Sequence, residues 1–149
     1  MSVVVRTVSR VVVPVALAFG AYVIMHGHLT PGGGFQGGAV VASVVALLVV
    51  AFGAERWRRW THVLLPLEDT GAMAFVILAF LGLGATFFRN VLAGSGGLFG
   101  APVPWPGPNP GALNTAGTLP LMNWAVGLKV IAGLGAVVIL LSLFGREDG

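Results

Sequence analysis

Cysteine is absent from this chain of 149 residues, and charged residues are scarce. Without cysteine, the chain forms no disulfide bond, no thiolate metal site and no iron–sulfur cluster of its own. Charged residues make up 9% of the sequence, far below the average of about 25% in soluble domains. Lys and Arg exceed the acids by only eight to five, an excess too small and too scattered for a nucleic-acid-binding surface.

Apolar residues take the place of the missing charges. They make up 56% of the chain, and the mean hydropathy is +0.94, which is typical of an integral membrane protein. Four apolar runs have the length of a membrane-spanning helix. We therefore predict an all-α integral membrane protein with a single four-helix domain over residues 1–149. The predicted transmembrane helices cover about residues 7–25, 37–54, 70–88 and 123–144.

The N-terminal apolar run, Val11 to Met25, follows Arg6 and Arg10. A positively charged segment before an apolar run also occurs in secretory signal peptides. Because the chain still begins at Met1, we expect that this run is not cleaved and forms the first helix.

Arginine residues predict the orientation of the helices. Arg6 and Arg10 precede the first helix, three arginines lie between the second and third, and Arg146 follows the fourth. The first turn carries no Lys or Arg. The positive-inside rule therefore predicts both termini in the cytoplasm, with a long Gly- and Pro-rich outer loop between helices 3 and 4. We expect a multi-pass protein of the cell membrane.

Two connecting segments have an unusual composition. Residues 55–62 interleave arginine with tryptophan, and we interpret them as an anchor at the lipid headgroups rather than a nucleic-acid-binding patch. Proline occupies alternate positions from Pro102 to Pro110, which favours an extended polyproline conformation. We expect this loop to lie over a neighbouring subunit.

The first turn contains a dense run of glycine. Its sequence is His26-Gly27-His28-Leu29-Thr30-Pro31-Gly32-Gly33-Gly34-Phe35-Gln36-Gly37-Gly38. Glycine allows close backbone approach, so we predict tight packing of helices 1 and 2, or of a neighbouring chain, at this turn. Phe35 would fill the gap that the glycines leave, and His28 would form a hydrogen bond across the turn. The run also fits G-x-G-x-x-G, but no short strand precedes it, which argues against a nucleotide site.

His26 and His28 could both ligate a metal ion from an extended segment, but the sequence offers no further ligand on that side of the membrane. We favour two polar rings at the interface, hydrogen-bonded to backbone or water. A role in proton or cation access is the alternative, because histidine titrates near neutral pH.

Lys129 lies six residues into the fourth predicted helix, about 9 Å from its outer end. The acids of the chain are Glu55, Glu68, Asp69, Glu147 and Asp148. All of them are predicted at the cytoplasmic side, so we expect the counter-charge of Lys129 to come from another polypeptide. The small residues Ala132, Gly133 and Ala136 are typical of a helix-packing seam on the same face. Snorkelling to the headgroups and an uncharged lysine are the alternatives.

No set of residues in the sequence is typical of an enzyme. There is no Ser/His/Asp set, no pair of carboxylates inside a predicted helix and no metal cluster. We therefore predict no catalytic residue and no cofactor. The candidate ion-pathway or assembly residues are His26, His28, Pro31, Gly32, Gly33, Gly34, Phe35, Gly37, Gly38 and Lys129.

The glycine run resembles a family motif. Gly27-His28, Pro31 to Phe35 and Gly37-Gly38 are similar to the G-H-x-x-P-G-G-G-F-x-G-G motif of the MnhB-related family, whose members are subunits of the Mrp-type (Mnh or Pha) sodium/proton antiporters. The segment Leu98-Phe99-Gly100-Ala101-Pro102 and the glycine-bearing last helix resemble the family more weakly.

This resemblance implies an accessory subunit of a hetero-oligomeric complex that exchanges monovalent cations for protons across the cell membrane. Its partners would be other membrane subunits, some similar to the pumping subunits of respiratory complex I, and membrane lipids, with no nucleic acid or nucleotide. The alternative is an MnhB-like subunit in the ion-translocating module of a hydrogenase-like respiratory complex. The antiporter members of the family often carry an acid where this chain has Asn123, and the run from Asn123 to Val130 resembles the hydrogenase-linked branch more closely.

Overall fold

A computed structural model describes residues 2–82, 84, 86–95 and 116–145, and these residues form four α-helices. The helices are α1, Val3–His26; α2, Gly34–Phe52; α3, Thr61–Phe80; and α4, Leu119–Phe144. A short 3-10 helix, Ala54–Trp60, joins α2 to α3. The four helical segments are each long and apolar enough to cross a membrane. This confirms the predicted fold class of an all-α chain with four membrane-spanning helices.

Helix α1 begins earlier than the predicted residue 7 and includes both arginines of the N-terminal segment. The Ser2 side chain caps it by accepting a hydrogen bond from the backbone N–H of Val5, as expected of a serine at this position. The Ser9 hydroxyl donates back to the Val5 carbonyl and is buried. As a result, α1 is 24 residues long, well beyond its charge-free run.

Helix α3 begins at Thr61 rather than at the predicted residue 70, about two and a half turns earlier. Pro66 and the adjacent acids Glu68 and Asp69 interrupt the apolar run, which is why the sequence indicated a later start. The helix continues through Pro66 because a proline removes only one backbone N–H, a loss that membrane helices tolerate. Glu68 and Asp69 are therefore residues of α3 and not of a cytoplasmic loop, which corrects the prediction.

The four helices pack as a row rather than as a closed bundle. Helix α2 packs against α1 and α4, and α4 packs in turn against α3; α1 also touches α4 over a smaller area, where Ile24 lies beside Gly127. Within the described part of the chain, the backbone of α3 does not come close to that of α1 or α2, although Leu64 of α3 packs against the hydrophobic cluster that includes Val49 of α2. Helices α2 and α4 contain seven buried residues each, whereas α1 contains two and α3 three. The order across the row is therefore α1, α2, α4, α3, with α1 and α3 at its edges.

The connection after α3 is held to the start of α4 by Asn90. Its side-chain amide donates to the carbonyl of Ala116, and its oxygen accepts from the backbone N–H and the hydroxyl of Thr118. The predicted alternating-proline loop, the Leu98–Pro102 segment and Arg146 lie outside the described residues.

Candidate functional site

The glycine turn joins α1 to α2 in very few residues. The backbone N–H groups of Leu29 and Thr30 both donate to the carbonyl of His26, at 2.9 and 3.1 Å. Gly32 and Gly33 follow with φ angles of +144° and +142°, values that residues other than glycine rarely adopt. Pro31 and Gly32 are exposed, whereas Gly33 is buried. The turn therefore uses its glycines for backbone shape as well as for packing.

Helices α1 and α2 meet at a reciprocal pair of glycines. A methyl group added at Gly37 would lie 2.7 Å from the Gly20 carbonyl oxygen, and one added at Gly20 would lie 3.1 Å from the Gly37 carbonyl oxygen. Both distances are shorter than normal contacts. Close packing of helices 1 and 2, as the sequence predicted, is thus present in the structure, although Gly20 lies outside the motif.

Helices α2 and α4 meet just as closely. A methyl group at Gly34 would overlap the carbonyl oxygen of Asn123 and lie 2.9 Å from the backbone nitrogen of Gly127. A methyl group at Gly38 would lie 3.0 Å from the Gly127 carbonyl oxygen and 2.8 Å from Val130 Cβ. We define these contacts as the glycine seam. Three motif glycines, Gly34, Gly37 and Gly38, thus serve helix packing within the chain.

Asn123 of α4, and not Phe35, lies over the glycine turn. A methyl group at Gly27 would lie 2.8 Å from Asn123 Nδ2, and one at Gly33 would lie 3.3 Å from Asn123 Oδ1. Phe35 is 59% exposed, so the prediction that it fills the gap left by the glycines is wrong. The physical reason is that the second residue of α2 points away from α4 once Gly34 is pressed against it.

The two histidines of the turn do not meet in a site. The ring of His26, the last residue of α1, stacks on Tyr22 with centroids 4.4 Å apart. Both ring nitrogens of His28 are buried and have no hydrogen-bond partner among the described residues. The predicted hydrogen bond of His28 across the turn is therefore wrong. Across the described ranges, no group of three or more His, Cys, Asp and Glu side chains could hold a metal ion.

Lys129 forms an ion pair with Glu68 of α3. Lys129 Nζ donates to Glu68 Oε1 over 2.9 Å. The prediction that its counter-charge belongs to another polypeptide is therefore wrong. The error follows from the start of α3, because a helix beginning at Thr61 carries Glu68 up to the level of Lys129.

The pair lies far from both helix ends. At 1.5 Å per residue, Lys129 is about 15 Å from the start of α4 and about 22 Å from its end. Glu68 is about 10 Å from the start of α3 and about 18 Å from its end. The two side chains are 47% and 31% exposed, respectively, so the pair lies at the surface of the row and not inside it.

Glycine also makes room for this pair. A methyl group at Gly133 would lie 2.9 Å from Cδ and Oε1 of Glu68, and one at Gly71 would lie 2.7 Å from the backbone nitrogen of Lys129. We define the ion pair and these two glycines as the charged seam. Gly133, which was predicted to lie in a helix-packing seam, does lie at a helix contact. There it packs against the carboxylate of Glu68, which belongs to the same chain.

Sequence reasoning did not identify Glu68, Asp69 or Gly71 as site residues. A signal was present, because Val63, Leu64, Leu65 and Leu67 extend the apolar run to the N-terminal side of the acids. A helix drawn through Pro66 would have brought Glu68 into the membrane-spanning segment.

Comparison with known proteins agrees with the glycine motif. Residues 4–136 match the family described as a domain related to the MnhB subunit of Na+/H+ antiporters. An uncharacterized protein of Methanocaldococcus jannaschii is 39% identical over 130 residues, which is 85% of this chain and 47% of that protein. A protein of Staphylococcus aureus named as antiporter subunit mnhB2 is 49% identical over 53 residues, 36% of this chain and 38% of that protein.

Among solved structures, a chain of the membrane-bound sulfane sulfur reductase, an archaeal respiratory membrane complex, has the same fold. The TM-score is 0.66 with 32% sequence identity, and the match covers 94% of this chain and 58% of that chain. The chain therefore spans about half the length of the relatives that it matches, and it resembles one part of each.

Proposed function

The chain belongs to the family of domains related to the MnhB subunit of Na+/H+ antiporters, and from this premise we propose that it is an accessory membrane subunit of a multisubunit antiporter. The complex would exchange sodium or another monovalent cation for protons across the cell membrane. The chain itself would carry out no covalent chemistry. It would contribute to assembly through the glycine seam and to the cation/proton pathway through the charged seam.

The observation that supports a role in transport is the Glu68–Lys129 pair. Ionisable groups in the middle of a membrane helix are costly and usually face a partner or a water-filled cavity that serves ion movement. The pair lies near the middle of both helices and is partly exposed at the surface of the row. An adjacent subunit could therefore deliver protons or cations to it.

A respiratory complex is the second candidate, and the solved structural relative favours it. That relative belongs to an archaeal respiratory membrane complex and matches nearly the whole of this chain. In this case the chain would be an MnhB-like subunit of the ion-translocating module beside redox subunits. The Glu68–Lys129 pair would have the same role.

For orientation, we propose that both termini face the cytoplasm. Five arginines lie at the face of the protein where α1 begins and α2 ends, namely Arg6 and Arg10 in α1 and the three arginines of the 3-10 helix. Among the described residues, Arg89 is the only arginine at the opposite face. This distribution supports the positive-inside assignment.

The first experiment is mass spectrometry of the proteins that co-purify with the tagged chain from its own membranes in mild detergent. Large antiporter-like subunits without redox proteins would support the antiporter. Nickel–iron or iron–sulfur subunits in the same particle would support the respiratory complex. A chain that travels alone would contradict both proposals.

Transport is tested by sodium-driven proton flux in membrane vesicles. We expect Lys129→Met to lower the flux about tenfold, the factor that corresponds to the loss of about 1.4 kcal/mol of stabilisation, while the protein stays in the membrane. Lys129→Arg is the matched control and should keep most of the flux, because it keeps the charge. If Lys129→Met assembles normally and its flux is unchanged, the chain acts only as a structural spacer in the complex.

A further inference from the structure

Asp69 is a charged residue near the middle of α3 that the described residues leave unpaired. It follows Glu68 directly in α3 and is exposed. Among the described residues it has no hydrogen-bond partner, and no Lys, Arg or His nitrogen lies within 4 Å of it. Lys129 is already paired with Glu68. The three charges therefore sum to one uncompensated negative charge at Asp69.

The depth of Asp69 makes this charge consequential. It lies about 12 Å from the start of α3 and about 16 Å from its end, at 1.5 Å per residue. A carboxylate at such depth is costly in a bilayer. Lysine and arginine relieve this cost by extending long side chains to the headgroups, but the short side chain of aspartate cannot do so.

Asp69 lies within an apolar stripe that no other helix of the described chain covers. Residues at i+4, i+7 and i+11 from Asp69 share its face of a helix. These are Met73, Val76 and Phe80, which are 61%, 48% and 47% exposed. Among the described residues, the backbone of α3 lies next to that of α4 and away from those of α1 and α2. We define Asp69, Met73, Val76 and Phe80 as the Asp69 stripe.

We propose that the Asp69 stripe is the docking surface for a transmembrane helix of another subunit, and that this helix places a lysine or arginine opposite Asp69. The apolar members of the stripe suit a membrane helix, and the single acid among them selects a basic partner by charge complementarity. The inference rests on the proposed membership of a multisubunit complex. It also reverses the sequence-based expectation, because this chain offers its partner a carboxylate and not the ammonium group of Lys129.

The test uses dicyclohexylcarbodiimide, an apolar reagent that reaches carboxyl groups inside membranes and reacts with their protonated form. Modification at Asp69 is mapped by mass spectrometry in the intact complex and in the chain separated from it. We expect Asp69 to be modified about tenfold less in the complex, with no effect of added sodium. Glu68, which is paired within the chain, is the internal control and should stay protected in both samples.

Three results would overturn the proposal. Equal modification of Asp69 in both samples would mean that the stripe faces lipid. Modification in the complex that sodium suppresses would identify a cation site instead of a helix contact. A complex in which Asp69→Asn retains its partner subunits as well as the wild type would show that the charge does not hold them.

The variants have matched controls. Asp69→Glu keeps the charge and should retain the partner subunits, whereas Asp69→Asn should lose them about tenfold more readily. Thr70→Val should behave as the wild type, because the Thr70 hydroxyl donates to the Pro66 carbonyl within α3. If the wild-type chain travels alone, the proposed function fails. If it travels with partners that Asp69→Asn does not release, only the docking inference fails.

Discussion

Helix α4 packs against α2 on one side and α3 on the other, and glycine serves the two contacts differently. In the glycine seam, Gly34 and Gly38 bring the backbones of α2 and α4 together, and no charged side chain lies between them. In the charged seam, Gly133 instead leaves space for the Glu68 carboxylate, which reaches Lys129. Steric overlap therefore limits which residues the glycine seam can accept, while the ion pair of the charged seam requires the charges of both Glu68 and Lys129.

This difference separates assembly from transport. A backbone contact has no room to adjust, because an added methyl group meets atoms that cannot rotate away. An ion pair at the surface of the row joins two flexible side chains and could exchange partners. We therefore expect the glycine seam to determine whether the protein folds, and the charged seam to determine what the folded protein does.

The largest effect is expected from Gly34→Val. Its side chain would overlap the Asn123 carbonyl and force α2 from α4, with a cost of about 3 kcal/mol or more. Gly34→Ala would place a methyl group in the same overlap, and Gly135→Ala is its matched control, because a methyl group there would lie 3.6 Å from Leu64 and Val45. The measurement is the thermal unfolding midpoint of the purified protein together with its amount in membranes. Equal midpoints for the two alanine variants would contradict the steric account of the glycine seam.

An intermediate effect is expected from Lys129→Met, which leaves Glu68 unpaired in the membrane at a cost of about 2–3 kcal/mol. The double variant Glu68→Gln with Lys129→Met should recover most of this stability, because no lone charge remains. Unfolding of the two single variants and the double variant forms a double-mutant cycle. Strictly additive losses would show that the two charges are not coupled.

The smallest effect is expected from Phe35→Ala, which removes an exposed side chain and should change stability by less than about 0.5 kcal/mol. Asn123→Ala is the comparison, since it empties the space over Gly27 and Gly33, and we expect a cost of about 1 kcal/mol. The same unfolding measurement applies. A larger loss for Phe35→Ala would indicate that Phe35, and not Asn123, stabilises the turn.

The sequence predicted the fold class well because apolar length is a strong signal for membrane helices. It also predicted the family from the glycine motif and close packing at the turn. It failed at α3, where Pro66 and two acids conceal a continuous helix. It failed at Phe35 because the face that a residue presents depends on which helix packs beside it. The sequence did not identify Glu68 as the partner of Lys129, because that required both the correct start of α3 and the position of α3 next to α4.

The order of the helices across the row has a consequence for how the protein is made. Helix α3 is synthesised before α4, yet α4 is the helix between α3 and α2. Glu68 and Lys129 are 61 residues apart in the chain, which corresponds to about 3–12 s at ordinary rates of synthesis. During this interval the growing chain carries an acid without its lysine. The insertion machinery or a waiting subunit must then shield Glu68 until α4 arrives.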